Sequence, residues 1–214
     1  MASKTPTLPK STLILLVRHG QTSTTGKVLP GRAVGLHLNP TGRAQAAAVA
    51  ERIAPLEPTA VYASPMERTQ ETAVAIGERC RRRVRSHEGL IECEFGKWTG
   101  RRLNDLRRKR EWAAVQSHPS GFRFPAGESF AEMQSRMVDT LGALHRRHQG
   151  KTVVAVSHAD PVKAAASWAV GAPLDLFQRI VISPCSVTAL LVGAHAPIVL
   201  AINSLGDLTE LAPS

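Results

Sequence analysis

Arg18 and His19 follow an apolar run at residues 13–17, and Gly20 comes directly after them. The run has the length and composition of a buried strand, and Gly20 allows a sharp turn after it. In open α/β sheets, ligands bind in the crevice at the carboxyl ends of the strands. A guanidinium fork beside a histidine, which can act as a nucleophile, suits an anionic substrate there. A solvated strand end explains these residues alone equally well.

A second histidine occurs in the same arrangement. Residues 152–156 form the most strand-like run of the chain, and His158 follows its carboxyl end. A short strand predicted at residues 60–63 leads to Ser64 and Pro65, which are typical of the N-cap and first position of a helix. That helix carries Arg68 in its first turn. Taken singly, His158 is more often a structural histidine and Arg68 a solvated arginine.

The combination favours a chemical site. Two arginines and two histidines at strand ends accompany a loop that contains Glu88, Glu92 and Glu94. Guanidinium forks match phosphoryl oxygens, a histidine can attack phosphorus, and a carboxylic acid can protonate the leaving oxygen. These are the groups that phosphoryl transfer requires.

Five segments, in order, resemble the motifs of the histidine phosphatase superfamily, also called the phosphoglycerate mutase-like family. They are Val-Arg-His-Gly-Gln-Thr at residues 17–22 and the segments at residues 62–73, 90–100, 125–129 and 156–158. Each motif is weak alone, but their order and spacing extend from about residue 13 to residue 203. The resemblance implies an α/β fold of three layers, α/β/α, in which helices flank a mostly parallel mixed sheet.

By this resemblance, His19 is the nucleophile that becomes phosphorylated. Arg18, Arg68 and His158 hold the phosphoryl group, and Glu92 protonates the leaving oxygen. We expect one ring nitrogen of His19 to keep its proton on a backbone carbonyl, so that the other can attack. We expect His158 to be a cation that donates to the phosphoryl oxygens.

The assignment of the acid leaves an alternative open. Crowding by Glu88, Glu94 and a dianionic substrate would raise the pKa of Glu92 and keep its proton available. In a strand, however, Glu92 and Glu94 share a face, so spacing cannot choose between them. The position after residues 90–91 favours Glu92 by resemblance.

The resemblance also assigns Gln21, Thr25 and Gly31 to substrate binding. Thr25 stands where many members carry an asparagine, and its hydroxyl reaches less far than an amide. Ala159 and Asp160 replace the usual glycine pair after the second histidine. Asp160 either caps the following helix or lowers the local positive potential and shapes substrate choice.

Two fates follow phosphorylation of His19. Attack by water makes a phosphatase, which we favour, whereas attack by a substrate hydroxyl makes a cofactor-dependent phosphomutase of the phosphoglycerate mutase type. A cluster of basic residues between 101 and 110 keeps the mutase open, since it offers a place for a second phosphate. A third interpretation is a non-catalytic phosphate-binding module, but binding alone has no need of a proton donor.

Composition bounds the remaining properties. With 214 residues, of which 43% are hydrophobic, the chain fits one domain at residues 12–214, with an insertion at about 87–127 and a flexible tail at residues 1–11. We expect a cytoplasmic protein without a membrane segment, because no apolar run is long enough and three scattered cysteines indicate no disulfide framework. The predicted chemistry needs no metal and no cofactor.

The formal net charge of +10 favours anionic partners. We expect a phosphorylated small molecule, because the few aromatic residues do not interleave with the cluster of arginines at residues 79–85, which argues against nucleic acid. A homodimer is compatible with the sequence. Further predicted elements are helices at residues 43–53, 103–115, 129–148 and 161–170, one from Ser64 to about residue 80, and strands at 83–86, 179–182, 187–192 and 198–202.

Overall fold

The computed structural model describes residues 10–211, in which six strands form a single mixed sheet. The strands are β1 (Thr12–Arg18), β2 (Ala60–Ala63), β3 (Val84–Ser86), β4 (Thr152–Ser157), β5 (Val187–Val192) and β6 (Ile198–Ser204). Their order is β3-β2-β4-β1-β5-β6. β3, β2, β4 and β1 are parallel, β5 is antiparallel to β1, and β6 is antiparallel to β5.

Six α-helices accompany the sheet within residues 10–211. They are α1 (Pro40–Ile53), α2 (Glu67–Cys80), α3 (Leu103–Leu106), α4 (Arg110–Ser117), α5 (Phe130–Arg147) and α6 (Ala159–Ala169). The alternate residues of β1 face opposite layers. Leu13, Leu15 and Val17 pack with buried residues of α1 and α2, whereas Ile14 and Leu16 pack with those of α5 and α6. The predicted three-layer α/β/α fold is thereby confirmed.

The register of the parallel strands brings three strand ends to one level. Arg18 of β1 is paired with Ser157 of β4, and Ala63 of β2 with Val156 of β4. Just beyond the strands, the amide of His19 donates to the carbonyl of Ser157, and the amide of Ser64 to that of Val156, each at 3.0 Å. The segments that begin with His19, Ser64 and His158 therefore leave the sheet side by side.

The prediction of one helix over residues 103–115 is wrong. Residues 107–109 separate α3 from α4, and each short helix buries one side chain, Leu106 and Val115. Nine residues at about 100° each would place these two on opposite faces of a continuous helix. The break allows both to enter an aromatic cluster with Phe95, Trp98 and Phe124. The cluster joins the region predicted as an insertion, residues 87–127, to Phe130 and Met133 of α5, Ala164 of α6 and Phe177.

The prediction of a strand at residues 179–182 is also wrong. Leu174–Arg179 form a 3₁₀ helix, and residues 180–182 do not join the sheet. β-branched residues favour strands, but the strand neighbouring β1 on this side is β5, which leaves no free edge for the segment to pair with. Ile182 instead accepts a 2.6 Å hydrogen bond from Nη1 of Arg18 through its carbonyl.

The starts of three helices differ from the predicted ones. α1 begins at Pro40, with Asn39 as its N-cap, three residues before the predicted start. α2 begins at Glu67 with Met66 at the N-cap position, so Ser64 is not a cap. The carbonyl of Ser64 accepts from the side chains of Thr69 and Gln70, and its hydroxyl lies in the site described below. α6 begins two residues before Pro161, which lies in its first turn, where backbone N–H groups lack helical partners.

Long α5 follows its prediction closely. Ser129 is the N-cap, and its hydroxyl accepts from the amide of Glu132 while the Glu132 carboxylate accepts from the amide of Ser129. This reciprocal capping box fixes the start of the helix.

Residues 1–9 of the predicted tail lie outside the described residues. Within the described part of the chain, no helix has the length and apolar character that would let it cross a membrane.

Candidate active site

A cavity of about 460 Å³ opens at the carboxyl ends of β1 and β4. Its inner wall includes Arg18, His19 and Glu92, together with the hydroxyl-bearing Thr22 and Thr25. Arg68 and His158 lie immediately behind this wall and are fully buried. The four residues predicted to converge from three strand ends are therefore in one place, together with Glu92.

His19 is held in one orientation. Its Nδ1 lies 2.7 Å from the carbonyl oxygen of Gly20, which can only accept, so Nδ1 carries the proton and Nε2 has the free lone pair. This is the backbone partner that we predicted. Burial, with Arg68 and Arg18 nearby, holds the pKa of His19 well below its usual range, which keeps the ring neutral.

Gly20 is required for a reason other than the predicted turn. A Cβ at this position would lie 2.5 Å from the carbonyl oxygen of Gly42 at the start of α1. The absence of a side chain lets α1 approach the nucleophile segment. The Gly20 amide also donates to Oγ1 of Thr72 on α2, so both helices brace the turn after His19.

His158 is neutral in this arrangement, whereas the cation that we predicted concerns the ring beside a bound phosphoryl group and stays a prediction. Nη2 of Arg68 donates to Nδ1 of His158 at 3.1 Å, so Nδ1 is the acceptor and Nε2 carries the proton toward Oγ of Ser64 at 2.9 Å. Burial and the charge of Arg68 hold the pKa of His158 well below its usual range. The two imidazoles are close, with ring centroids 5.2 Å apart.

The guanidinium groups of Arg18 and Arg68 have N–H donors that make no hydrogen bond within the described residues. Arg68 is fully buried and donates from Nη2 to the carbonyl of Gly31 at 2.7 Å. Among the described residues, its Nε and Nη1, and also Nε of Arg18, have no hydrogen-bond partner. Buried donors without partners are costly, and guanidinium forks match a tetrahedral oxyanion. The site is therefore built to accept an anion.

Glu92 and Glu94 occupy different environments. Glu92 is only 6% exposed, faces the cavity and lies 3.9 Å from Nδ1 of His158 through Oε2. Glu94 instead forms an ion pair with Arg32 at 3.6 Å, and its side chain is 37% exposed. Of the two carboxylates that the sequence left open, Glu92 is the one that lines the cavity.

Burial raises the pKa of Glu92 to about 7, with the negative charge of Asp160 as the second cause. The positive charges of Arg68 and Arg18 act in the opposite direction but are outweighed. Neither Glu88 nor Glu94 contributes to this shift, so that part of the predicted cause is wrong, and the contribution of a dianionic substrate stays a prediction. The outcome is the one that an acid catalyst near neutral pH needs, since the carboxyl stays partly protonated.

A network of ions holds the loop that carries Glu92. Arg136 donates from Nη1 to the carbonyls of Gly89 and Ile91, at 2.9 and 2.8 Å. Arg32 donates from Nε to the carbonyl of Glu92 at 2.9 Å. Both guanidiniums also donate to Oε2 of Glu128, at 3.0 and 3.1 Å. Glu128, which directly precedes the N-cap residue of α5, thus connects two arginines that bind the backbone on either side of the acid.

Of the three residues assigned to substrate binding by resemblance, Thr25 alone lines the cavity, within the residues described. Its hydroxyl accepts from the amide of Thr22 at 2.9 Å. Gln21 joins loop and helix through its backbone, with its amide donating to Oε1 of Gln45. Gly31 has a φ of 53° and supplies the carbonyl that holds Arg68. Gln21 and Gly31 support the site from outside the cavity wall.

Asp160 lies in the first turn of α6, where the N-cap residue His158 makes no side-chain cap bond. The first of its two predicted roles, capping, is not observed. Asp160 lines the cavity and forms an ion pair with Lys163 at 3.4 Å, and Lys163 donates to Oε1 of Gln178 at 2.9 Å.

The outer cavity contains residues that sequence reasoning did not single out. Apolar side chains come from α3, α4 and the residues around 28–30 and 180–182, and the cations are Lys163 and Arg107. Within the described chain, Arg107 is the one member of the basic cluster at residues 101–110 that lines the cavity. No group of three or more His, Cys, Asp or Glu residues among residues 10–211 is placed to hold a metal ion. The basic cluster was a sequence signal for Arg107, whereas the apolar wall had none.

Comparisons with known proteins agree with this geometry. A family model described as histidine phosphatase superfamily (branch 1) matches residues 14–205. Phosphoserine phosphatase 1 of Hydrogenobacter thermophilus is 28% identical over 205 residues, which make up 92% of this chain and 94% of that protein. "Probable phosphoglycerate mutase GpmB" of Erwinia tasmaniensis is 31% identical over 179 residues, 82% of each chain.

A solved structure shows the same similarity in three dimensions. A phosphoserine phosphatase mutant of Entamoeba histolytica, in complex with phosphoserine, matches with a TM-score of 0.82 at 26% identity, over 90% of this chain and 97% of that one. Family and relatives together indicate an enzyme that is a phosphatase or a phosphomutase. The chain belongs to the histidine phosphatase superfamily, as its motifs predicted.

Proposed function

We propose that the protein hydrolyses phosphate monoesters of small molecules through a phosphohistidine on His19. The observation that carries the proposal is the arrangement at the inner cavity. Nδ1 of His19 is held by the Gly20 carbonyl, so its unprotonated Nε2 is the atom that can attack. Buried guanidinium N–H groups of Arg18 and Arg68 have no partner among the described residues. A phosphoryl group placed there supplies the acceptors that these donors lack.

The reaction follows from the protonation states. Nε2 of His19 attacks phosphorus, the bond to the leaving oxygen breaks, and Glu92 gives its proton to that oxygen. Water then attacks the phosphohistidine, and the Glu92 carboxylate takes one of its protons, which releases phosphate and restores both groups. The pKa of Glu92, raised to about 7, suits both transfers.

His158 has a positioning and binding role in this scheme. Its Nδ1 holds Nη2 of Arg68, and its Nε2–H points to Ser64. A bound phosphate dianion beside the ring favours the protonated form, in which both ring nitrogens donate and Nδ1 no longer accepts from Nη2 of Arg68. Arg18, Arg68 and His158 thus hold the phosphoryl group that His19 attacks.

Hydrolysis is favoured over a phosphomutase reaction by the outer cavity. A bisphosphorylated intermediate needs a second set of cations, but Lys163 is paired with Asp160, and Arg107 is exposed at the rim. The names of two relatives make O-phosphoserine one substrate to include in the assays.

The first experiment is a comparison of His19→Ala with His195→Ala, which changes an exposed histidine away from the cavity. With p-nitrophenyl phosphate and with ³²P-labelled monoesters, His19→Ala should lose both turnover and acid-labile labelling, while His195→Ala keeps both. Turnover without labelling, or retained in His19→Ala, contradicts the phosphohistidine. Binding of phosphate without any turnover of the unaltered protein supports a phosphate-binding module instead.

The phosphomutase is tested separately with 3-phosphoglycerate, with and without 2,3-bisphosphoglycerate. The proposal expects release of inorganic phosphate and no dependence on the bisphosphate. Formation of 2-phosphoglycerate that requires the bisphosphate favours the mutase.

A further inference from the structure

The outer part of the active-site cavity has a chemical character that differs from the inner part. Beyond Arg18, His19 and Glu92, much of the wall is formed by apolar side chains. They belong to three separate segments of the chain that close around the same space. They are Val28 and Leu29, then Leu103, Trp112 and Val115, and finally Ile180 and Val181, with Ile182 behind them.

The wall that carries Trp112 is supported from behind by the aromatic cluster. The Trp112 ring is stacked on Trp98, with centroids 6.2 Å apart and planes 20° apart, and Trp98 contacts Phe124 in the aromatic cluster. Val115 is 3% exposed, whereas Val181, from another of the three segments, is 67% exposed. Val181 therefore has apolar surface that a ligand in the cavity can cover, and covering it removes that surface from water.

Of the two cations of the outer cavity, Lys163 is already paired and Arg107 is exposed to solvent. Nζ of Lys163 lies 3.4 Å from Oδ1 of Asp160 and donates to Gln178, so its charge is already used. Arg107 is exposed and donates to Oδ1 of Asn104 at 3.4 Å. A small alcohol with its own carboxylate would find no unpaired buried cation among the described residues of this region. An apolar alcohol finds walls on three sides.

We propose that the substrates are phosphate monoesters whose alcohol carries an apolar chain or ring of about six carbons or more. The proposal rests on the proposed function, because it names the leaving group for the same site. A cavity of about 460 Å³ holds roughly fifteen waters at ~30 Å³ each, which is ample for such an alcohol in addition to the phosphoryl group. Pockets of this size with apolar walls and few polar groups are typical of small-molecule sites.

The test is a series of n-alkyl phosphates from ethyl to octyl, assayed for phosphate release beside O-phosphoserine. The leaving alkoxides have nearly the same basicity, so the series varies apolar contact alone. We expect kcat/KM to rise by up to about fourfold per buried methylene and to level off once the chain reaches the mouth. O-phosphoserine should fall below hexyl phosphate.

A pair of matched variants locates the contact. Val181→Ser should flatten the rise between butyl and octyl phosphate, whereas Val181→Leu should keep the rise. Val170→Ser changes a valine that is 50% exposed outside the cavity and should leave the whole series unchanged. Equal effects of Val170→Ser and Val181→Ser would overturn the assignment of this wall.

Binding of the matching alkylphosphonates, measured by calorimetry, separates this proposal from the proposed function. A flat or falling series in both assays, with O-phosphoserine preferred, overturns the apolar substrate class and leaves the hydrolase intact. If no monoester is hydrolysed, the proposed function fails. Phosphonate affinity that rises with chain length then still supports an apolar outer subsite, and affinity that does not rise overturns it.

Discussion

Replacement of Glu92 by glutamine should make the protein more stable above neutral pH while it slows the reaction. Glu92 is buried beside Asp160, and its pKa is raised to about 7 from an ordinary value of 4.5. Between these two pH values the folded protein binds more protons at this position than the unfolded chain does. Stability of the wild type therefore falls as pH rises through this window. The introduced glutamine does not titrate, and its Oε1 can still accept from the amide of Cys93 as Glu92 does at 3.0 Å.

The size of the effect follows from the shift. A difference of about 2.5 pH units in pKa corresponds to about 3 kcal/mol of unfolding free energy once the carboxyl is ionised in both states. The Glu92→Gln variant should gain up to this amount relative to wild type at pH 8.5. The gain should shrink as pH falls and be nearly absent by pH 4.5.

The assay is urea unfolding of wild type and variant at half-unit steps from pH 4.5 to 8.5. Glu94→Gln is the matched control, because Glu94 is partly exposed and paired with Arg32 outside the cavity. It should show no gain that grows with pH. A difference between wild type and Glu92→Gln that is independent of pH would refute the raised pKa.

Kinetics of the same variant test its chemical role. The loss should be about 10²–10⁴-fold with an alkyl phosphate, whose leaving group needs a proton, and far smaller with p-nitrophenyl phosphate. For wild type and the alkyl phosphate, kcat/KM should fall above about pH 7, and this limb should vanish in Glu92→Gln. Equal losses with both substrates would place the acid elsewhere.

Three further substitutions probe the surroundings of the acid. Glu128→Gln weakens the grip of two arginines on the Glu92 loop and should lower kcat for alkyl phosphates by about ten- to 10²-fold, with a smaller loss for p-nitrophenyl phosphate. Asp160→Asn removes a negative charge that raises the pKa of Glu92, so the alkaline limb of kcat/KM should move to lower pH; an unmoved limb contradicts this. Gly31→Ala places a Cβ at a φ of 53° and 2.9 Å from Oγ1 of Thr99, which should cost about 1–2 kcal/mol in urea unfolding and raise KM, because the same residue holds Arg68.

Local patterns in the chain were sufficient for most of the architecture. Strands β1 and β4 are continuous apolar runs, and the capping signals of α1 and α5 stand directly in the sequence, at Asn39 and Ser129. Two predictions failed because the same local pattern fits either a regular element or a part of the site. Ser64 resembles an N-cap but its hydroxyl lies against His158, and residues 180–182 resemble a strand but line a cavity.

The candidate site divides in the same way. The sequence alone determined which strands end in Arg18, His19 and His158, because strand period and residue type are local properties, and parallel strands must deliver their ends to one edge. Only the tertiary structure decided that Glu92 and not Glu94 faces the cavity, that His158 accepts from Arg68, and that the outer wall is apolar. These features depend on which distant segments pack together, since burial and neighbouring charge set the protonation state of each group and no local pattern encodes them.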